Sequence, residues 1–185
     1  MLKSAFNFYP GIQVIIADDT PAEAFELVDK KKYPTVKHYM MPEYSGWFAG
    51  RALAISQVTT EYFLWVDDDF VFQPNTNLEW QLNVIRTTGY DVIGGGVGMA
   101  GESGWARKRN LNIAYGADGN CYARQLGKVI PLPGFEKDCH VADIISNFFI
   151  ARTITAGTVR MDPMFNQIAH REFFLDAIGK LRIGM

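Results

Sequence analysis

Five apolar residues, Tyr62 to Val66 (YFLWV), run directly into three aspartates, Asp67, Asp68 and Asp69, and then into a second apolar triplet, FVF. A run this short and this rich in aromatic and β-branched residues reads as a buried β-strand. Three carboxylates beside such a strand cost free energy unless something offsets their charge. The fold must therefore bring this strand end to a place where a counter-charge or solvent reaches it.

The flanking sequence indicates how the strand is covered. IQVIIADD, TVKHYMM, YDVIGGGV and NFFIART read as further strands. Between them lie helix patterns: one from about Gly46 to Val58 with Ser45 placed to cap it, one in TNLEWQLNVIRTTG stopped by glycine, and a last one in HREFFLDAIGKL. The opening MLKSAFNFYPG reads as a helix with Leu2, Phe6 and Tyr9 at helical spacing, stopped by Pro10-Gly11. Strand–helix–strand alternation predicts one α/β domain with a mostly parallel central sheet flanked by helices. Beyond Gly96 the pattern loosens, and WARKRNLNIAYG and GNCYARQLGKVIPLPGF suggest short antiparallel pieces. At 185 residues, 48% of them hydrophobic, the chain can bury a substantial single core. A net charge of −2 without basic runs gives no reason to expect a nucleic-acid partner, and no apolar run is long enough to span a membrane. Nothing in the residues speaks to oligomeric state.

Ligands of open α/β sheets bind at the carboxyl ends of strands. Two acidic clusters fall there, Asp18-Asp19 after VIIA and Asp67-Asp68-Asp69 after FLWV. In an extended segment Asp67 and Asp69 share one side and Asp68 takes the other. Two such carboxylates repel, and a hard divalent cation, Mg²⁺ or Mn²⁺, resolves the repulsion with one or two carboxylates plus substrate phosphates. A solvated acidic turn is the plainer alternative, weakened by the apolar FVF that follows.

Arg51 shares a helix face with Trp47, Ile55 and Val58. A guanidinium there needs an anion, a diphosphate or a carboxylate, unless it snorkels to the helix edge. Glu172 and Asp176 are neighbours on the last helix, whose apolar side is Phe173, Phe174, Ala177 and Ile178. Such a pair is most often a solvated face. His170 could cap, ligate or lie at the surface, and no two histidines have zinc-ligand spacing. Glycines 94 to 96, Gly95 in the middle, allow close approach of a ligand or simply a tight turn. Cys121 and Cys139 are equally well two buried small side chains or a disulfide.

Two enzyme classes fit D-x-D at a strand end. DDDFV satisfies the D-x-D-x-[TV] pattern of haloacid-dehalogenase-like phosphohydrolases with Asp67 as nucleophile, but the later lysine and acidic pair are not evident. The other class is a nucleotide-sugar transferase. YPGIQVIIADDTP, GWFAGRALAISQVTTEYFLWVDDDFVF, NFFIAR and AHREFFLDAIGKLRIG, in that order from about Phe8 to Gly184, resemble the β-1,4-N-acetylgalactosaminyltransferases. That family includes ganglioside-forming and glycoprotein-modifying enzymes.

The resemblance implies a GT-A-type fold and inverting transfer from UDP-N-acetylgalactosamine to a hydroxyl of an acceptor glycan, on a glycolipid or glycoprotein, with Mn²⁺ or Mg²⁺. It assigns Asp18, ahead of Asp19, to the uridine and Arg51 to the nucleotide. Asp69 becomes the direct metal ligand and Asp67 the residue facing ribose or metal. Glu172 is the first choice as general base and Asp176 the second. The resemblance further implies a Golgi-lumenal, membrane-anchored enzyme and a Cys121–Cys139 disulfide. It also implies a single catalytic domain over residues 1–185, with a first strand and a C-terminal segment bearing a histidine ligand outside it. A non-catalytic UDP-sugar-binding protein is the alternative from another class.

Overall fold

The computed structural model describes residues 1–98, 110–117, 119–125, 129–159, 161–165 and 170–185. Its helices are α1 (Leu2–Phe8), α2 (Trp47–Ser56), α3 (Leu78–Thr88), α4 (Thr153–Ala156) and α5 (His170–Ala177), with a 3₁₀ turn at Pro163–Phe165. The strands are β1 (Val14–Asp18), β2 (Val36–Met40), β3 (Tyr62–Val66), β4 (Val92–Gly94), β5 (Asn110–Gly116), β6 (Gly119–Gln125), β7 (Phe148–Arg152) and β8 (Ile183–Gly184). Every helix and strand expected from the local patterns is present, because each is driven by apolar periodicity within its own segment.

Strand direction departs from expectation. β1 and β2 pair in parallel, and a four-stranded sheet runs β3-β7-β4-β8. Within it β7 is antiparallel to both β3 and β4, and only the β4–β8 pair is parallel, so this sheet is mixed rather than mostly parallel. A parallel neighbour requires a crossover, usually a helix, and the described residues between β4 and β7 contain none; they hold the antiparallel β5–β6 hairpin.

The core lies on both faces of this sheet. Trp65, Val92, Phe149 and Ala151 join Phe48 of α2 and Phe173 and Phe174 of α5 on one face. Ile93 and Ile150, with the partly buried Leu64 and Val66, join Ala5 of α1 and Leu78, Val84 and Ile85 of α3 on the other. The two-residue alternation of a strand sorts these side chains. α3 starts at Asn77, whose side chain accepts from Trp80 N–H at 2.8 Å, and stops at Gly89 in the left-handed conformation, φ 65°. α2 starts instead at Gly46 without a side-chain cap; Ser45 Oγ donates to Pro42 O at 2.5 Å, so the expected Ser45 cap is not made. A cavity of about 810 Å³ lies between β1 and β3, lined by Ala5, Tyr9, Ile15, Ile55 and Leu64 among others.

The disulfide expectation is corrected: Cys121 and Cys139 are both free. Cys121 is exposed on β6, opposite Ala114 of β5. Cys139 is buried with Leu132 and Ile150, a small apolar side chain whose thiol burial, with Asp138 nearby, pushes up to about 11.

Candidate active site

The chain does not stay extended past Val66. Phe70 N–H donates to Asp67 O at 3.3 Å, closing a turn, so the simple alternation expected for the three aspartates fails. Asp67 is half-buried while Asp68 and Asp69 are both exposed. One oxygen of Asp67, Oδ1, accepts from Arg51 Nη2, and the other, Oδ2, accepts from Asn147 Nδ2 at 2.9 Å. Arg51, projecting from α2, lies over the rings of Trp65 (4.9 Å) and Trp47 (5.6 Å). Its anionic partner is thus a carboxylate of the chain itself. Asp67 keeps only its remaining lone pairs for a ligand, whereas Asp69 presents an open carboxylate.

Asn147 was not foreseen, and its Oδ1 is buried with no hydrogen-bond partner among the described residues. It reaches Asp67 because Phe148 is in register with Val66, which sets the residue before β7 against the residue after β3. Only knowledge of that antiparallel pairing could have pointed to it. Among the described residues no three His, Cys, Asp or Glu side chains converge on a metal position. A hard cation that keeps several waters and binds substrate phosphates needs only one or two carboxylates, and the exposed Asp69 beside Asp67 fits that demand.

At the end of β1, Asp18 and Asp19 take different tasks. Asp19 Oδ2 accepts from Gly46 N–H at 2.8 Å and so ties β1 to the start of α2. Asp18 Oδ1 accepts from Thr20 N–H at 3.0 Å, and Oδ2 lies 2.9 Å from His38 Nε2. Burial raises the Asp18 pKa, but the hydrogen bonds from Thr20 and then His38 outweigh it, and the net shift is downward. The carboxylate is held ionised. His38, like Asn147, carried no sequence signal.

The third carboxylate group is on α5. Phe173 packs against Trp65 (5.7 Å) and stacks with Phe149 (6.3 Å), which seats the helix against the strand that leads into Asp67. Glu172 precedes Phe173, and its pKa is pushed up to about 7, first by burial, then by the charge and hydrogen bond of Asp176 and the charge of Asp162, with Lys180 opposing. Its Oε2 is buried without a hydrogen-bond partner among the described residues. Asp176 is exposed, and its charge adds to burial in raising the Glu172 pKa. His170 begins the helix with its ring 5.0 Å from Phe174.

Gly95 accepts no side chain: a Cβ there would lie 2.6 Å from Phe148 Cδ1, and its N–H donates to Phe148 O at 2.8 Å. Packing against β7 therefore demands glycine. The same backbone, with Asp69, Phe70, Gln81 and Phe148, lines a cavity of about 780 Å³.

Residues 1–153 match the family model of glycosyl transferase family 2. Beta-1,4 N-acetylgalactosaminyltransferase 1 of Rattus norvegicus is 43% identical over 186 residues, covering 100% of this chain and 34% of the relative, and the Homo sapiens protein of that name gives the same figures. Beta-1,4 N-acetylgalactosaminyltransferase 2 of Mus musculus is 41% identical over 184 residues, again covering 100% of this chain and 34% of the relative. The chain spans about a third of the length of these relatives. Among solved structures, Staphylococcus aureus TarS (residues 1–349) superposes with a TM-score of 0.60 at 17% identity, over 93% of this chain and 48% of that one. At that identity the likeness speaks for the fold, which is of GT-A type.

Proposed function

The chain belongs to glycosyl transferase family 2, and on that footing we propose that it is an inverting, metal-assisted hexosaminyltransferase. In this reading it moves N-acetylgalactosamine from UDP-N-acetylgalactosamine to a hydroxyl of an acceptor glycan in β-1,4 linkage. The donor and linkage are supported by the names of relatives at 41–43% identity over the whole chain. The observation that carries the mechanism is Glu172, a carboxyl with a pKa of about 7 on a helix packed, through Phe173, against the strand leading into Asp67.

Asp18, ionised and fixed by Thr20 and His38, accepts a hydrogen bond from the nucleobase. Asp69, with the spare lone pairs of Asp67, would hold Mn²⁺ or Mg²⁺. When bound, such an ion neutralises charge on the departing diphosphate. Arg51 and Asn147 keep Asp67 in one orientation, so the acidic turn is set before substrate arrives. Glu172 takes the proton of the acceptor hydroxyl as that oxygen attacks the anomeric carbon from the face opposite UDP. The C–O bond forms, the bond to UDP breaks, and the configuration inverts. A base with a pKa near the working pH is the efficient choice. Burial, helped by the charge of Asp176, holds Glu172 at that value, and Asp176 need not itself reach the substrate.

The phosphohydrolase alternative fails on the family match, which covers residues 1–153 and so includes the DDDFV motif. We place the enzyme in the Golgi lumen on the strength of the resemblance, and read residues 1–185 as part of a single catalytic domain. The test is a donor screen with UDP-N-acetylgalactosamine and UDP-N-acetylglucosamine against glycolipid and glycoprotein acceptors, with and without Mn²⁺. Release of UDP from the first donor, lost in Glu172→Gln, supports the proposal; UDP binding without turnover would make the chain a binding protein instead.

A further inference from the structure

His38 lies on β2, in register with Ile16 of β1, two residues short of Asp18. Its side chain is 3% exposed. Phe25 covers its ring at 5.0 Å. Both ring nitrogens are used: Nδ1 accepts from Val28 N–H at 3.2 Å, and Nε2 lies 2.9 Å from Asp18 Oδ2. An Nδ1 that accepts leaves the hydrogen on Nε2, which therefore donates to the carboxylate. With Thr20 N–H on its other oxygen, Asp18 cannot rotate, yet its side chain remains 23% exposed. A fixed, ionised, partly exposed carboxylate offers acceptor lone pairs and nothing else.

We infer that His38 is a positioning residue for nucleotide selection, aiming Asp18 so that the site accepts a base presenting a ring N–H, as uracil does, and rejects one presenting a ring lone pair, as cytosine does. This rests on the donor reading above. A preset acceptor pays no ordering cost when the base arrives, and a mismatched lone pair leaves two acceptors facing each other unpaired. His38 also fastens the segment carrying Phe25 and Val28, so a purely structural role is the competing explanation, and the two nitrogens separate them.

Glutamine places its amide nitrogen near the position of Nε2 and can keep the bond to Asp18. Asparagine reaches only the Nδ1 position and can keep the bond to Val28. UDP and CDP binding to the chain is measured by calorimetry for wild type, His38→Gln and His38→Asn. The expected result is that Asn weakens UDP binding about tenfold, the loss of one such hydrogen bond, and narrows the UDP-over-CDP preference, while Gln stays close to wild type. Retention by Asn with loss in Gln, or no change in either, overturns the inference. If both variants unfold, ¹⁵N-detected imidazole spectra of the wild type decide: an Nε2–H tautomer whose signals move with UDP but not with CDP upholds it, and signals indifferent to both refute it. A wild-type chain that binds no uridine nucleotide removes the donor reading, and this inference with it; a wild type that prefers UDP beside indifferent variants removes this inference alone.

Discussion

Glu172→Gln is expected to make the protein more stable and less active at once. The carboxyl of Glu172 is pushed from an ordinary value of 4.5 to about 7 by burial and by Asp176. A raised acid pKa means that folding favours the protonated form. The group's contribution to stability is then fully present below pH 4.5 and is lost as pH rises through about 7. At 1.36 kcal/mol per unit the full shift would amount to about 3 kcal/mol. Partial exposure to solvent reduces this to about 1–2 kcal/mol. Glutamine has the same shape and no charge to ionise, so at pH 8 the variant should melt about 2–8 °C above wild type, at 2–4 °C per kcal/mol for a chain of this size. Near pH 5 the two should nearly coincide. Transfer should fall by about 10² to 10⁴ while UDP affinity holds, since only the base is removed. Thermal unfolding across pH 5 to 8 and a UDP-release assay measure both effects. Parallel stability profiles for the two proteins would refute the strained-carboxyl account, and undiminished transfer would refute the base assignment.

Other substitutions test the remaining parts of the site. Asp69→Asn should abolish metal-dependent UDP binding with little change in melting temperature, because Asp69 is exposed in a turn. Asp67→Asn should instead cost about 1–3 kcal/mol, since it leaves Arg51 between Trp47 and Trp65 without its anion; thermal melts separate the two aspartates. Gly95→Ala should destabilise by about 1–3 kcal/mol, because its Cβ meets the ring of Phe148. Alkylation followed by mass spectrometry should find two free thiols, with Cys121 labelled in the folded protein and Cys139 only after denaturation.

What could be read from residues in order, and what could not, follows from the range of the forces involved. YFLWV, NFFIAR and TNLEWQLNVIRTTG declare their structure locally, because periodicity and caps act within one element. The pairing of Glu172 with Asp176 was legible for the same reason, four residues being one helical turn. Arg51 was legible only as a cation in want of an anion; that Asp67 supplies it depends on how α2 packs beside β3. Asn147 and His38 reach the site through strand register, β7 on β3 and β2 on β1, and register between distant segments leaves no local mark. The antiparallel course of β7 was missed on the same ground. The turn after Val66 escapes the pattern because the extended reading of the strand runs on through Asp67, Asp68 and Asp69, where the chain turns instead. The disulfide came from resemblance, and the burial of Cys139 in the core places it with the plainer alternative.

The most direct test of the proposed chemistry is the product itself. The chain is incubated with UDP-N-acetylgalactosamine, an acceptor glycan and Mn²⁺, and the anomeric configuration of the new linkage is determined by proton NMR. A β-linked N-acetylgalactosamine formed in step with UDP release, and absent with Glu172→Gln, is the predicted result. An α-linked product, or transfer that persists without the Glu172 carboxylate, would contradict it.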